Sequence, residues 1–115
     1  MEKQDMMKAK MLKDIQRSLI KNFLDTVVMA KLKKASGPMN GYEFVEYVQQ
    51  KYGILISAGT MYTMLYYLER QGLLKGEWCS GKRVYRLTPQ GGKTVEKIMD
   101  SKEEIKRFLG TLLED

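Results

Sequence analysis

The sequence predicts a mainly α-helical fold carrying one small β-hairpin, and three observations predict it. Apolar residues recur at three- and four-residue steps near both ends of the chain. Between Leu73 and Leu87 that period gives way to two β-prone runs. Helix-start and helix-stop residues stand at the joins between these segments.

In chain order, Leu12, Ile15, Leu19, Phe23 and Val27, with Ile20, Leu24 and Val28 beside them, predict one long amphipathic helix from about Met11 to Lys34. Lys31, Lys33 and Lys34 suit the negative end of its dipole, and Gly37-Pro38 prevents continuation. Asn40 is an N-cap with Glu43 at the third helical position, a capping box that opens a second helix stopped by Gly53. Ile54-Leu55-Ile56 is a short extended run. Ser57 then caps a third helix containing Met61, Met64, Leu65 and Leu68, which Gly72 closes. Leu73 to Trp78 and Arg83 to Leu87 read as a hairpin joined by the four residues Cys79-Ser80-Gly81-Lys82. Thr88 before Pro89 is an N-cap followed by proline at the first helical position, so a last long helix runs from Pro89 to Leu113. Val95, Ile98, Ile105, Leu109 and Leu112 follow a heptad-like spacing there, interrupted where Lys102 takes a seam position.

The chain has 115 residues, 43% hydrophobic and 30% charged, which fits one folded domain with a core. It has no histidine, which removes the commonest general base, the Ser-His and Cys-His nucleophile pairs and every His-ligated metal site. The lone Cys79 makes neither an internal disulfide nor a multi-Cys zinc site and reads as an incidental, reduced thiol. No catalytic residue, metal site or cofactor is expected. The N-terminus lacks the apolar core of a signal peptide, and no apolar run approaches the roughly 20 residues of a membrane span, so a cytoplasmic location is expected.

The net charge of +6 favours a polyanionic partner. Its distribution is uneven. Met1 to Ser36 is strongly basic, whereas Gly37 to Gly72 carries only Lys51 and Arg70 against Glu43, Glu46 and Glu69. Leu73 to Thr88 carries Lys75, Lys82, Arg83 and Arg86 against Glu77 alone, which makes the hairpin the most positively biased stretch for its length. Phosphate neutralisation is therefore expected there, with Gly81 at the tip leaving Lys82 and Arg83 projecting.

Helix, helix, turn, helix, hairpin, helix is the order of a winged helix-turn-helix, whose third helix enters a major groove. The detail narrows this. Gly41-Tyr42-Glu43, Ser57-Ala58-Gly59-Thr60-Met61-Tyr62, Leu68-Glu69-Arg70-Gln71-Gly72-Leu73-Leu74 and Arg83-Val84-Tyr85-Arg86-Leu87-Thr88-Pro89-Gln90-Gly91 together resemble the PadR family of transcriptional regulators. The resemblance implies a homodimeric, sequence-specific DNA-binding regulator, usually a repressor, whose first and last helices form the dimer and whose DNA affinity a small effector relieves. The short C-terminus resembles the smaller subfamily with one terminal helix. Thr63 stands where the family commonly has proline, and the recognition segment has no basic residue before Arg70.

Residues 1–88 are thus expected to form the DNA-binding unit and 89–115 the dimerisation helix. Met61, Leu65 and Leu68 should face the core, leaving the short residues Ser57, Gly59, Thr60 and Thr63 for close groove approach, with hydroxyl and methyl groups to meet base edges. Tyr62, which matches the motif tyrosine, is the candidate for a phosphate or sugar contact. Tyr66 is divided between DNA contact and partial burial. With Lys82, Arg83 and Arg86 these complete the expected DNA-binding set. Leu19, Phe23, Val27, Val95, Ile98, Ile105, Phe108, Leu109 and Leu112 form the expected dimer interface, since a helix of roughly 37 Å exceeds what so small a core covers. The dimer would hold two recognition helices roughly 34 Å apart on a palindromic operator of double-stranded DNA. Phe23, Val27, Met29 and Phe108 are candidates to line a pocket for a small hydrophobic effector, although such residues are more often plain core. The competing readings are an enzyme, for which the residues offer little, and a winged helix that binds proteins or nucleic acid without sequence preference.

Overall fold

The three capped helix starts read from the sequence, at Asn40, Ser57 and Thr88, are built as expected. In the computed structural model, which describes residues 2–114, Asn40 Oδ1 accepts from the Glu43 amide at 2.9 Å while Glu43 Oε1 accepts from the Asn40 amide at 3.0 Å. This reciprocal pair opens helix α3 (Gly41–Tyr52), which Gly53 ends in the left-handed region at φ 67°. Ser57 Oγ accepts from the Thr60 amide at 3.1 Å to start α4 (Ala58–Arg70). Thr88 Oγ1 accepts from Gly91 at 3.0 Å to start α5 (Pro89–Asp100), and its hydroxyl also donates to the Gly72 carbonyl at 2.7 Å. One residue therefore fastens the start of α5 to the end of α4. Met1 and Asp115, the outer ends of the expected 1–88 and 89–115 units, lie outside the described residues.

The two long helices are each divided. The first begins at Lys3, earlier than expected, and comprises α1 (Lys3–Asn22) and α2 (Leu24–Lys34), separated at Phe23 with φ −105° and ψ 18°. Polar side chains compete with the backbone here: Asn22 Nδ2 donates to the Ser18 carbonyl at 2.8 Å, and Asp25 Oδ1 accepts from the Thr26 amide at 2.7 Å. Phe23 still bonds back to Leu19 and Val27 to Phe23, so the chain bends without leaving the helical path. The last helix divides at Ser101 (φ −94°, ψ 13°), whose hydroxyl donates to the Lys97 carbonyl at 2.9 Å. It continues as α6 (Lys102–Thr111), and the break falls beside the lysine that interrupts the heptad spacing.

The hairpin is tighter than expected. Strands β2 (Leu74–Cys79) and β3 (Lys82–Leu87) pair antiparallel out to Cys79 opposite Lys82, so the connection is two residues, not four. Ser80 and Gly81 take φ of 51° and 79°, the paired positive angles of the turn whose twist matches that of the strands. A third strand escaped the sequence reading: β1 (Met39–Asn40) pairs with Tyr85 and Val84, giving the order β1-β3-β2. Two residues are too few for an alternation to register.

The core lies between α2, α3, α4 and the sheet, with Leu24, Val28, Phe44, Met61, Leu65 and Tyr85 all at 1% exposure or less. Burial of Met61, Leu65 and Leu68 meets the expectation for α4. Val95 does not face outward as a dimer residue should. It is wholly buried in the protomer's own core, and Ile98 packs beside it, because the first turns of α5 lie against α2. Neither α1 nor α6 buries a residue, and their apolar stripes, including Leu12, Ile15, Leu19 and Phe108, remain exposed, as does Leu112 at the end of α6. Among the described residues no helix is long and apolar enough to cross a membrane.

Candidate nucleic-acid interface

Capping and burial together fix which side of α4 faces outward. With Met61, Leu65 and Leu68 turned into the core, Ser57, Gly59, Thr60, Thr63, Tyr67 and Arg70 line one shallow strip along the helix. The Ser57 hydroxyl also donates to Thr60 Oγ1 at 2.9 Å, so these two polar groups hold each other at the N-terminal end. Nothing lies within 4 Å of a Cβ built on Gly59, which leaves that end open to close approach. The strip presents hydroxyls, the methyls of Thr60 and Thr63, the Met64 side chain and the Tyr67 phenol, with the Arg70 guanidinium at its far end, and such groups read base edges by short contacts. Of the expected residues, Ser57, Gly59, Thr60 and Thr63 are therefore brought together.

Tyr62 and Tyr66 stand on the opposite flank, with ring centroids 6.1 Å apart and planes tilted by 34°. They turn toward the wing formed by β2 and β3 and, with Asn40, Tyr42, Trp78 and Lys82, line a cleft between wing and helix. The expected set thus divides into a strip and a cleft on two sides of α4.

The wing cations depart from expectation. Lys82 is exposed and, among the described residues, takes no part in the wing's ion pairs. Arg83 does not project. Its Nη2 meets Glu69 Oε2 at 2.6 Å, and the same oxygen accepts from the Gly76 amide at 3.3 Å, so Glu69 ties α4 to both strands of the wing. The guanidinium lies 5.9 Å from the Trp78 and Tyr85 ring centroids and fills the space above Gly76, where a Cβ would come within 2.8 Å of Arg83 Nε. Arg86 Nε sits 3.4 Å from Glu77 Oε1, and Lys75 Nζ 3.9 Å from the same atom. Glu69 and Glu77 therefore offset much of the hairpin's positive bias. Beneath the guanidinium, burial pushes the Tyr85 phenol above its ordinary 10.0, so it stays neutral at physiological pH.

Four residues escaped the sequence reading: Glu69 and Glu77, which restrain the cations, and Tyr42 and Trp78, two exposed aromatic side chains in the cleft. Trp78 was open to detection. Counting by twos from buried Leu74 places Gly76 and Trp78 on one face of β2, with Trp78 beyond the end of the core. The residues considered for an effector pocket are dispersed: Met29 is core and Val27 packs against it, while Phe23 and Phe108 share an open groove with Ile105 and Leu109.

A family model described as "Transcriptional regulator PadR-like family" matches residues 28–97. Among solved structures, a PadR family transcriptional regulator from Eggerthella lenta is 29% identical and superposes with a TM-score of 0.70, covering 96% of this chain and 95% of that one. A PadR family transcription regulator from Clostridium difficile is 26% identical with a TM-score of 0.67, covering 79% and 98%. A transcriptional regulator from Clostridium thermocellum shares the fold with a TM-score of 0.71 at 24% identity, covering 84% of this chain and 96% of that one. No curated protein matches the sequence.

Proposed function

The chain belongs to the PadR-like family of transcriptional regulators, DNA-binding proteins and not enzymes, and from that premise we propose that it is a homodimeric repressor of a palindromic operator. The observation that carries this reading is the open strip on α4, where Ser57, Gly59, Thr60 and Thr63 stand clear of the core and of the wing. The strip enters the major groove, and the wing follows the adjacent backbone. Tyr62 and Tyr66 meet sugar or phosphate from the flank. Lys82 neutralises a phosphate directly, while Arg83 and Arg86 act within their ion pairs. Residues 1–88 supply the DNA-binding unit, onto which the first turns of α5 pack, and the rest of 89–115 supplies the assembly arm together with the first helix, working in the cytoplasm.

Dimerisation rests on exposed apolar surface. Ile15 at 53% and Phe108 at 65% exposure belong to helices that bury no residue within the protomer, and Leu112, just past the end of α6, is 65% exposed. A second copy covers these stripes through Leu19, Phe23, Val27, Ile105, Phe108, Leu109 and Leu112, and a small hydrophobic effector acts at the Phe23–Phe108 groove.

Selection of bound duplexes from a random pool tests the central reading, and enrichment of a palindrome is the expected result. A bound pool without two-fold symmetry argues against it. Sedimentation at micromolar concentration should give twice the 13.3 kDa chain mass, and a species at the chain mass excludes the dimer. A reporter placed behind the selected operator gives the sign of regulation.

A further inference from the structure

Trp78 and Tyr42 are 72% and 67% exposed, an unusual display of aromatic surface for residues with no assigned contact. They come from different elements, β2 and the first turn of α3, yet line the same cleft beside the reading helix. Among the described residues no carboxylate lines that cleft, and Lys82 and Arg83 are its two cations. Trp78 lies directly across the ladder from Arg83, whose guanidinium is 5.9 Å from its ring centroid. With Arg83 engaged by Glu69 and Arg86 by Glu77, the wing has little uncommitted charge with which to hold a phosphate backbone.

A DNA strand offers two kinds of surface, the charged phosphates and the C–H faces of its deoxyribose rings. Aromatic walls suit the second, and a single ammonium suits the first. We propose that the cleft takes one deoxyribose–phosphate strand of the operator, with Trp78 and Tyr42 packed on sugar faces and Lys82 on the phosphate between them. This assignment rests on the reading of the chain as a DNA-binding regulator. It makes the wing's grip largely apolar, so the two kinds of contact differ in their response to salt: the Lys82 contact releases a counterion and the aromatic contacts do not.

Trp78 is the chain's only tryptophan, which makes its own fluorescence a probe of the site. The test uses the full chain and a duplex taken from the selected pool, titrated at several salt concentrations. Saturating duplex should change Trp78 emission and shield it from acrylamide. Trp78→Ala and Tyr42→Ala should each weaken binding roughly five- to tenfold with an unchanged salt slope. Trp78→Phe should recover most of the loss, and Lys82→Ala should flatten the slope by about one unit. Both aromatic residues are exposed, so unchanged melting curves are expected and separate lost contact from lost fold. Wild-type affinity in Trp78→Ala, or emission unmoved at saturation, overturns the assignment while DNA binding stands. Failure of the wild-type chain to bind any duplex overturns the DNA-binding reading itself, and the cleft assignment with it.

Discussion

The ring of Tyr62 rests on the backbone of Gly41: a Cβ placed on that glycine would lie 2.6 Å from Tyr62 Cζ and 2.9 Å from its hydroxyl oxygen. The glycine that starts α3 and the tyrosine one turn into α4 are thus two halves of one contact. It holds the phenol at the mouth of the cleft, and it explains why glycine follows the Asn40 cap, where many residues would continue the helix equally well.

Gly41→Ala should therefore move Tyr62 and leave the fold in place. The clash is with the far end of a side chain, so a stability loss of about 1–3 kcal/mol is expected. DNA affinity should fall further than that loss explains, and Gly41→Ala combined with Tyr62→Ala should regain stability without regaining affinity. Thermal melts and gel-shift titrations of the single and double variants decide it, and full affinity in Gly41→Ala counts against a role for the phenol.

Two adjacent glycines in α5 should respond in opposite directions. A Cβ on Gly91 would overlap the Leu73 carbonyl oxygen, a backbone atom that already accepts from Thr88 and has no room to retreat. Gly91→Ala should cost about 3 kcal/mol or more. Nothing lies within 4 Å of a Cβ on Gly92, and replacing a helical glycine with alanine there should stabilise by about 1 kcal/mol. Denaturant melts of the two variants make the comparison directly.

Glu77 Oε1 is shared by Arg86 and Lys75. Glu77→Gln should tighten binding to random duplex severalfold and steepen the salt slope by about one unit, at the expense of discrimination. Titration of operator and random duplex at two salt concentrations reads both effects. An unchanged slope means that the two cations do not reach DNA when released.

Lys33 Nζ lies 2.6 Å from Glu96 Oε1 and links α2 to α5, and its hydrogen bond and charge hold the Glu96 carboxyl below its ordinary value of 4.5. A carboxyl lowered in the folded state contributes stability above its unfolded pKa, and that contribution disappears as pH falls through the folded pKa. Glu96→Gln should thus be less stable than wild type at pH 7, with the difference closing as pH falls below about 4.5. Melting curves across that range, repeated at high salt to screen the exposed pair, check the sign.

The sequence reveals those features of this fold that are written into neighbouring residues. Asn40 with Glu43, Ser57, and Thr88 before Pro89 are local signals, and each starts a helix where it should. The face of α4 follows from the spacing of Met61, Leu65 and Leu68. The breaks at Phe23 and Ser101 escape because each goes with a side-chain hydrogen bond four residues back, which apolar spacing does not record. The period runs on through Phe23, and at Ser101 only the Lys102 interruption marks the place. The state of Arg83 escapes for a different reason. Its partner Glu69 is fourteen residues away on another element, and only the folded hairpin brings them together. The candidate site was consequently clear in its hydroxyls and glycine and unclear in its charges.

The Phe23 break also has a mechanical consequence. Phe23 lines the same groove as Ser101, so the two interruptions of the helical path lie side by side. The changes of direction that lead into α1 and α6 therefore occur at one place on the winged body, although α1 also touches α3 through Lys13 and Tyr52. A side chain that filled this groove would thus bear on the base of both helices at once.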